Sequence, residues 1–350
     1  MARHAVVIGG TGQIGRAVGR ELLDHGWQVT LCSRHLRPEP DDLVARGAKI
    51  APLDRESEPS LSPVIKAGTD AVIDAVAYTE AHADQLLAVQ GSVGALVVIS
   101  SCSVYRDYAG RTLDEAKESG FPDFAEPIRE TCLTVDPGPR TYSTRKVALE
   151  RRLLERASRP VTIVRPGAIH GPYSSHPREW WFVKRMLDRR KVIPLAYRGQ
   201  SLFHTAAVAN IASLIRVALD HPQNRVLNAA DPKAPTSLEI GTMIGNHLGY
   251  SGTILPIDLG DDRGNAAVGW SPWSIPAPML LSTDAAIAMG YQPVTTYQAS
   301  VGETCDWLVK EAGFPWKERF PVLASYPMNL FDYPAEDEFL AKMDRSKWGA

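Results

Sequence analysis

Short apolar segments alternate with helical patterns along most of the chain. Most of these segments are apolar almost throughout, which is typical of strands that are buried on both faces of a parallel sheet. Between them, apolar residues recur at helical spacing, as Ile14, Val18 and Leu22 do after the first segment. This alternation predicts an α/β fold with a doubly wound parallel sheet. The predicted strands are residues 5–8, 27–31, 49–53, 71–77, 96–100, 161–165 and 225–228.

A glycine-rich turn follows the first predicted strand directly. Its glycines are Gly9, Gly10, Gly12 and Gly15. A strand that runs through such a turn into a helix brings free N–H groups and the positive helix end to one point, which suits a pyrophosphate. Gly10, Gly12 and Gly15 match the three roles of a dinucleotide-binding turn: a tight turn, close phosphate approach and close helix–strand packing. A merely structural turn is the alternative.

The residues after the second predicted strand indicate which dinucleotide binds. An acidic residue there would hold the ribose 2′-hydroxyl of NAD, but this chain has Ser33 and Arg34, with Arg37 nearby. The guanidinium of Arg34 matches a 2′-phosphate, so we expect NADP(H) rather than NAD(H); a solvated loop arginine is the alternative. Asp54, after the third predicted strand, is a candidate partner for the adenine amino group or a surface turn residue.

Tyr142 and Lys146 are a candidate catalytic pair. They are four residues apart in a predicted helix, so they share one face. A tyrosine hydroxyl has a pKa of roughly 10, and we expect the lysine cation to lower this pKa by favouring the phenolate. Ser101, after the fifth predicted strand, is the best candidate to hold a substrate oxygen, and Ser103 is the second. An ordinary surface pair on an amphipathic helix is the alternative.

The order of these motifs resembles that of the extended short-chain dehydrogenase/reductases, which include NAD-dependent epimerases and dehydratases of nucleotide sugars and NADP-linked carbonyl reductases. The motifs are the glycine turn, Asp54, residues 101–105, Tyr142-x-x-x-Lys146 and residues 165–172. The resemblance covers residues 5 to about 230 and, more weakly, to about 312. It implies that Ser101, Tyr142 and Lys146 form a catalytic triad, that Lys146 also bonds the nicotinamide ribose, and that residues 166–170 border the nicotinamide.

The motifs and the resemblance together give the candidate site residues. The catalytic candidates are Ser101, Tyr142 and Lys146. The cofactor candidates are Gly9, Thr11, Gly12, Gln13, Ile14, Ser33, Arg34, Asp54, Ala75, Ala77, Lys146, Pro166 and Ile169. The substrate candidates are Ser103, His170, Trp180 and His204, and the aromatic cluster at Trp180 either lines an apolar pocket or anchors a helix in the core. No metal site is expected.

Several residues that bind sugar nucleotides in many members of the superfamily are replaced in this chain. Ala168 is close to the place of an asparagine, and His170 stands in the place of a tyrosine. An arginine expected just before His204 has only Arg198 as a counterpart, in a shifted register. We therefore favour an NADP(H)-dependent oxidoreductase that acts on a carbonyl or secondary alcohol, with Tyr142 as the acid/base. A nucleotide-sugar epimerase or dehydratase that recycles its cofactor is the alternative, and a non-catalytic NADP-binding sensor is the third hypothesis.

The domain organisation follows from where these motifs end. We expect a Rossmann-type NADP-binding domain over residues 1–172, with a strand and a helix returning to it around 200–230. Residues 173–350 are expected to form mainly a smaller α/β region that caps the substrate, followed by an aromatic-rich tail. Because disordered tails are poor in aromatic residues, we expect this tail to pack on its own domain or on a partner subunit.

Composition and charge narrow the class of protein. The 350 residues are 44% hydrophobic with a formal net charge of −2, which is typical of a soluble globule without a basic nucleic-acid-binding surface. The chain shows no apolar run of membrane-spanning length, no secretory signal and only four scattered cysteines. We therefore expect a cytoplasmic enzyme with a small-molecule substrate and no nucleic-acid or membrane partner. The resemblance implies a homodimer.

Overall fold

The computed structural model describes residues 2–34, 41–57, 60–258 and 268–343. The strands are β1 (His4–Ile8), β2 (Gln28–Ser33), β3 (Lys49–Pro52), β4 (Thr69–Asp74), β5 (Val93–Ile99), β6 (Val161–Pro166), β7 (Ala168–His170), β8 (Val192–Leu195), β9 (Thr205–Ala207), β10 (Arg225–Ala229) and β11 (Thr253–Pro256). The helices are α1 (Gln13–Asp24), α2 (Asp41–Ala45), α3 (Glu80–Val89), α4 (Ala116–Ser119), α5 (Tyr142–Arg156), α6 (Trp180–Leu187), α7 (Val208–Asp220), α8 (Ser237–Leu248), α9 (Asp284–Ala288), α10 (Tyr297–Glu311), α11 (Trp316–Arg319), α12 (Pro321–Ala324) and α13 (Tyr333–Lys342).

Seven parallel strands form the central sheet within this part of the chain. Their order is β3-β2-β1-β4-β5-β6-β10. The chain starts in the middle at β1, adds β2 and β3 on one side, and then crosses to β4 on the other side. Ligands of such sheets bind where the winding reverses, beyond the carboxyl ends of β1 and β4. The predicted doubly wound sheet is confirmed, although β4 ends at Asp74 and so is shorter than predicted.

Apolar layers cover both faces of this sheet. On one face, Val7 of β1 packs in a cluster with Val18 and Leu22 of α1 and with apolar residues of α7. On the other face, Val6 packs in a second cluster with Leu149 of α5 and residues of α3. Because side chains alternate between the two faces, both sets must be apolar. This explains why the strands read as continuous apolar segments rather than as alternating ones.

Helix α5 is held to the sheet by a buried ion pair. The guanidinium of Arg165, on β6, donates to both carboxylate oxygens of Glu150, at 3.0 and 2.5 Å. At the start of the helix, the hydroxyl of Thr141 accepts from the N–H of Thr144 at 3.2 Å, and the hydroxyl of Thr144 accepts from the N–H of Thr141 at 2.9 Å. The position of the helix that carries Tyr142 and Lys146 is therefore fixed at its start and its middle.

The chain divides into two compact units. The first contains Met1–Ile169, His204–Lys233 and Met279–Thr296, and the second contains His170–Phe203, Ala234–Pro278 and Tyr297–Ala350. The first unit holds the central sheet and the helices that cover it. The second unit packs α6, α8 and α10 against one another and pairs β8 with β11 in parallel.

The aromatic tail packs inside the second unit, which is one of the two predicted arrangements. The ring of Phe320 lies 5.4 Å from that of Trp180. Arg185 of α6 donates to Glu336 of α13 at 2.5 Å and to the carbonyl of Leu330 at 2.7 Å. Both charged side chains are buried. Trp348, at the end of the predicted tail, lies outside the described residues.

Within the described ranges, no helix has the length and apolarity needed to cross a bilayer. The same part of the chain contains no group of three or more His, Cys, Asp and Glu side chains that could hold a metal ion. All four cysteines lie in described residues and are free thiols.

Candidate active site

Two glycines of the turn between β1 and α1 are required by close contacts. Gly9 and Gly10 each donate through their N–H to the carbonyl of Cys32, at 2.9 Å. A Cβ on Gly10 would lie 2.7 Å from Leu31, and one on Gly15 would overlap the carbonyl of Gly9. Gly10 therefore permits the tight turn, and Gly15 permits α1 to pack closely on it. These are two of the three roles that the glycine spacing assigns.

The environment of Gly12 is less crowded than those of Gly10 and Gly15. Its φ of −80° is open to any residue. Among the described residues, the only atom within 4 Å of a Cβ placed there is the carbonyl oxygen of Gly9, at 3.3 Å. Gly12 also directly precedes α1, whose first turn contains no acidic residue. The helix end is therefore an open cradle for an anion, and a pyrophosphate fits it.

A cavity of about 360 Å³ extends from this turn to the ends of β2, β3 and β4. The hydroxyl of Thr11 donates to that of Ser33 at 2.8 Å and joins the turn to the end of β2. Arg34 lies next to it, exposed at the cavity. The volume and the charged rim suit the adenosine half of a dinucleotide. The cavity is lined by Ile8, Gly9, Thr11, Gly12, Cys32, Ser33, Arg34, Leu53, Arg55, Glu56, Val76 and Tyr78. Arg37, named above, lies outside the described residues.

One wall of the cavity contains a buried ion pair that no sequence motif predicts. Arg55, just after β3, donates to Asp74 at 2.5 Å and to Gln85 of α3 at 2.7 Å. The other carboxylate oxygen of Asp74 accepts from the N–H of Val76 at 3.0 Å. These bonds connect the ends of β3 and β4 to α3, and so they fix the shape of the wall.

His82 and Glu56 continue this wall. Nδ1 of His82 accepts from the N–H of Tyr78 at 2.9 Å, so the ring proton lies on Nε2, which donates to Glu56 at 2.9 Å. Asp54 accepts from the N–H of Glu56 at 3.1 Å, a hydrogen bond that holds the pKa of this carboxyl below its usual range. Asp54 therefore takes part in a turn at the end of β3, and its contact with an adenine stays a prediction.

Lys146 is buried beside Tyr142, one turn further along α5. Its Nζ atom lies 5.6 Å from the centre of the Tyr142 ring. The ammonium group donates to the carbonyl of Ala77 at 2.6 Å and to that of Ile99 at 2.9 Å. Burial lowers the pKa of Lys146 to about 8. The predicted pair is therefore brought together next to the ends of β4 and β5.

The predicted lowering of the Tyr142 pKa is wrong for the protein by itself. Desolvation raises the pKa of this hydroxyl, and neighbouring Tyr78 acts in the same direction. The hydrogen bond with the side chain of Ser101 lowers the pKa but does not compensate. The physical reason is desolvation, the largest of these effects, which favours the neutral hydroxyl over the phenolate. Tyr142 therefore stays protonated at neutral pH.

Tyr78 is a site residue that the sequence analysis did not identify. Its ring lies 4.5 Å from Nζ of Lys146, close enough for a cation–π interaction, and 6.2 Å from the ring of Tyr142. The same side chain lines the cavity and is 43% exposed. Tyr78 therefore connects the cavity with the catalytic pair. The signal that could have identified Tyr78 is its position directly after the strand predicted over residues 71–77.

Two substrate candidates of the first unit have structural roles instead. The hydroxyl of Ser103 is buried and donates to that of Ser101 at 2.9 Å. Ser103 therefore lies on the interior side of Ser101. His204 is also buried: Nε2 donates to the carbonyl of Asp231 at 2.8 Å, and Nδ1 accepts from the N–H of Leu281 at 3.0 Å. Because both ring nitrogens are occupied, His204 cannot hydrogen-bond a substrate through them, and any other contact of His204 with a substrate stays a prediction.

The two substrate candidates of the second unit are packed in its interior. Trp180 is 3% exposed and contacts Phe320, which supports the alternative that it anchors a helix in the core. His170 is 1% exposed, and its ring lies 4.6 Å from that of Tyr297. The hydroxyl of Tyr297 donates to the buried carboxyl of Glu179 at 3.3 Å. As placed here, neither predicted residue presents a surface to a substrate.

The other cofactor candidates lie near the carboxyl ends of the strands, apart from Gln13 and Ile14, which begin α1. Ala75 continues the β1–β4 pairing through its N–H, which donates to Ile8 at 3.0 Å. Pro166 is buried at the end of β6, and Ile169 packs on the apolar core. Their contacts with a cofactor stay predictions.

The chain is similar to known proteins at the level of family and fold. A family model described as the NAD dependent epimerase/dehydratase family matches residues 5–230. No curated protein sequence matches the chain at a significant level. A UDP-N-acetylglucosamine 4-epimerase structure from Methanobrevibacter ruminantium M1, in complex with UDP-N-acetylmuramic acid, has a TM-score of 0.68 and 17% identity, covering 89% of this chain and 99% of that one.

Two further structures are similar to the same extent. The UDP-glucose 4-epimerase of Thermus thermophilus, in complex with NAD, has a TM-score of 0.64 and 18% identity, covering 87% of this chain and 99% of that one. The dTDP-glucose 4,6-dehydratase of Bacillus anthracis str. Ames, in complex with NAD, has a TM-score of 0.65 and 17% identity, covering 89% and 98%. At such identities these structures establish a shared fold.

Proposed function

The chain belongs to the NAD dependent epimerase/dehydratase family, and on this premise we propose that it catalyses hydride transfer at a secondary alcohol or carbonyl carbon, with Tyr142 as the acid/base. The observation that carries the proposal is the convergence of Ser101, Tyr142 and Lys146 beside the cavity that begins at the glycine turn. All of these residues belong to the first unit. Family membership supports an enzyme of the epimerase/dehydratase type. The role of Tyr142 as the acid/base is what we propose.

The residues divide the work of the reaction between them. When bound, the nicotinamide supplies the hydride acceptor and donor. In reduction, Tyr142 gives its proton to the substrate oxygen, and in oxidation it takes the proton back. Ser101 donates a hydrogen bond to the same oxygen and stabilises its developing negative charge. The raised pKa of Tyr142 keeps the hydroxyl protonated at neutral pH and so supports the proton-donor role.

Two versions of this chemistry are open. In the first, the protein is a net oxidoreductase that consumes NADPH. In the second, the hydride returns to the substrate within one turnover, as in an epimerase or dehydratase of nucleotide sugars. Family membership favours the second version. The residues that distinguish the two versions are those that would contact the substrate.

We further propose NADP(H) as the preferred dinucleotide. The family is described as NAD dependent, so this preference rests on the residues of this chain. Arg34 is exposed at the cavity directly after β2, and its guanidinium suits a 2′-phosphate. A cytoplasmic homodimer with a small-molecule substrate stays a prediction, which sedimentation of the purified protein would test for the dimer.

To test the function, NADPH and NADH absorbance is measured while the protein is incubated with ketones, aldehydes, UDP-glucose, UDP-N-acetylglucosamine and dTDP-glucose. Sugar products are analysed in parallel. Tyr142→Phe is the test variant, and Tyr108→Phe, which removes the hydroxyl of a fully exposed tyrosine, is the control. If NADPH is consumed over many turnovers, and Tyr142→Phe but not Tyr108→Phe abolishes this consumption, the protein is a reductase. If a nucleotide sugar is converted without net consumption of NADPH or NADH, and this conversion also requires Tyr142, the second version is established. Full activity of Tyr142→Phe would overturn the proposal.

A further inference from the structure

A chain of three serine hydroxyls leads from the interior of the first unit to Ser101. The hydroxyl of Ser143 donates to that of Ser103 at 2.9 Å, and the hydroxyl of Ser103 donates to that of Ser101 at 2.9 Å. Ser143 and Ser103 are buried, while Ser101 is half-buried. The N–H of Ser143 is held by the carboxylate of Asp114 at 2.7 Å. The chain therefore starts from a residue whose backbone is fixed on α5.

The hydrogen bonds of Ser101 determine what its hydroxyl can still do. The oxygen accepts from the N–H of Ser103 at 3.1 Å as well as from the Ser103 hydroxyl. A serine hydroxyl has two acceptor positions and one hydrogen. With both acceptor positions filled, Ser101 can only donate, and the hydroxyl of Tyr142 is close enough for Ser101 to influence its pKa.

We propose that Ser143 and Ser103 are positioning residues that commit Ser101 to donating its single hydrogen to the substrate oxygen. The proposal rests on the function proposed above. A donor that is already oriented stabilises the developing charge on a substrate oxygen without reorganising first. Without the Ser143 hydroxyl, the Ser103 hydroxyl can turn and accept from Ser101, and Ser101 then directs its hydrogen away from the site.

The first test compares Ser143→Ala with the matched control Ser100→Ala. Ser100 is also buried and directly precedes Ser101, but its hydroxyl has no hydrogen-bond partner among the described residues. We expect Ser143→Ala to lower kcat about tenfold, the effect of losing one hydrogen bond at the reacting oxygen. KM for the dinucleotide should not change, and Ser100→Ala should keep the full rate. A kcat for Ser143→Ala equal to that of the control would overturn the proposal.

The second test asks whether Ser143 acts through Ser101. In the Ser101→Ala background there is no hydroxyl left to orient, so we expect Ser143→Ala to have no further effect on kcat. Multiplicative effects of the two substitutions would contradict the proposal.

A substrate-free measurement separates this proposal from the proposed function. Urea unfolding of wild type, both single variants and the double variant gives the coupling between Ser143 and Ser101. A loss of stability for Ser143→Ala that shrinks in the Ser101→Ala background supports the hydroxyl chain even if no substrate is turned over. Independent effects overturn it. A fully active Tyr142→Phe, in contrast, would remove the proposed function while leaving the measured coupling intact.

Discussion

Lys146 carries its charge into a position where backbone carbonyls and an aromatic ring, rather than a carboxylate, are its direct partners. The carbonyl oxygens of Ala77 and Ile99 accept hydrogen bonds from two of its three N–H groups, and the ring of Tyr78 faces its Nζ atom. The carboxylates of Asp74 and Glu150 act against the loss of the charge, but burial outweighs them and lowers the pKa to about 8. The ammonium is therefore charged at neutral pH and loses its proton in a range where enzymes are easily assayed.

The lowered pKa of Lys146 predicts how stability depends on pH. Between pH 8 and the ordinary value of 10.5, the unfolded chain holds a proton on this lysine that the folded protein lacks. The free energy of unfolding should therefore rise with pH in this window, by at most about 1.4 kcal/mol per pH unit, and not change on this account below pH 8. Urea unfolding of wild type and Lys146→Met across this range measures the difference. Parallel pH profiles would contradict the buried ammonium.

Arg34 supports a prediction about cofactor preference. Arg34→Ala should weaken NADPH binding by roughly tenfold or more, because a charge-assisted hydrogen bond to the 2′-phosphate is lost. NADH binding should change little, since NADH lacks that phosphate. Titration of nicotinamide fluorescence with both dinucleotides gives the two dissociation constants. Arg20→Ala, which removes another exposed arginine outside the cavity, is the control. Equal losses for both dinucleotides would show that Arg34 does not hold the phosphate.

At this scale the sequence was informative where neighbours along the chain are also neighbours in space. The four-residue spacing brought Tyr142 and Lys146 together, and the glycine spacing matched the contacts of Gly10 and Gly15. The role of His204 could not be predicted in this way, because its partners Asp231 and Leu281 are distant in sequence. The direction of the Tyr142 pKa depended on burial, which spacing does not show.

At the scale of elements, α13 is attached to α6 by one buried ion pair. Arg185 and Glu336 are both almost fully buried, and Arg185 also stacks on Trp181 at 3.6 Å. Aromatic content predicted that the tail packs, but no periodicity identifies the partner of a residue 151 positions away. The strands of the central sheet were predictable because each is apolar over most of its own length, although the predicted bounds of β4 and β5 differ from the observed ones by up to three residues.

This ion pair predicts the effect of removing one partner. Glu336→Ala should lower the free energy of unfolding by about 3–5 kcal/mol, because Arg185 is left buried without its carboxylate. The double variant Arg185→Met/Glu336→Leu should recover much of this loss, since no buried charge remains. Glu338→Ala, at an exposed pair with Lys342, is the control and should change it by at most about 1 kcal/mol. Urea midpoints measure all four proteins, and a Glu336→Ala protein as stable as the control would contradict the buried pair.

At the scale of the whole molecule, the winding of the sheet determines where chemistry is possible. β1 and β4 are neighbours in the sheet although two strands separate them in the chain. The glycine turn and the residues after β4 are therefore adjacent, and the open cradle at Gly12 lies in the same unit as the catalytic pair. The alternation of strands and helices was sufficient to predict a doubly wound parallel sheet. It could not predict the wall built by Arg55 and Asp74, which depends on side chains that meet only after folding.

The roles of Gly12 and Gly15 in the glycine turn can be distinguished by the Tm of the protein with and without NADPH. NADPH at a hundredfold excess over its dissociation constant should stabilise wild type by about 2.7 kcal/mol and raise its Tm. Without NADPH, Gly12→Ala should lower Tm much less than Gly15→Ala, because its Cβ would lie 3.3 Å from the carbonyl oxygen of Gly9 rather than 2.2 Å. It should also lose the ligand-induced rise, because the Cβ fills the cradle. Gly15→Ala should lower Tm even without ligand, because its Cβ overlaps the carbonyl of Gly9.

Gly91→Ala is the matched control for both variants, since a Cβ at Gly91 meets no described atom within 4 Å. It should keep both the wild-type Tm and the full rise with NADPH. A Gly12→Ala protein that retains the rise would show that the dinucleotide does not approach this helix end, and the proposed function would then lose its cofactor site. A Gly12→Ala protein that is destabilised as much as Gly15→Ala without ligand would show instead that Gly12 is needed for the fold. Only separate effects on ligand response at Gly12 and on stability at Gly15 assign one glycine to binding and the other to packing.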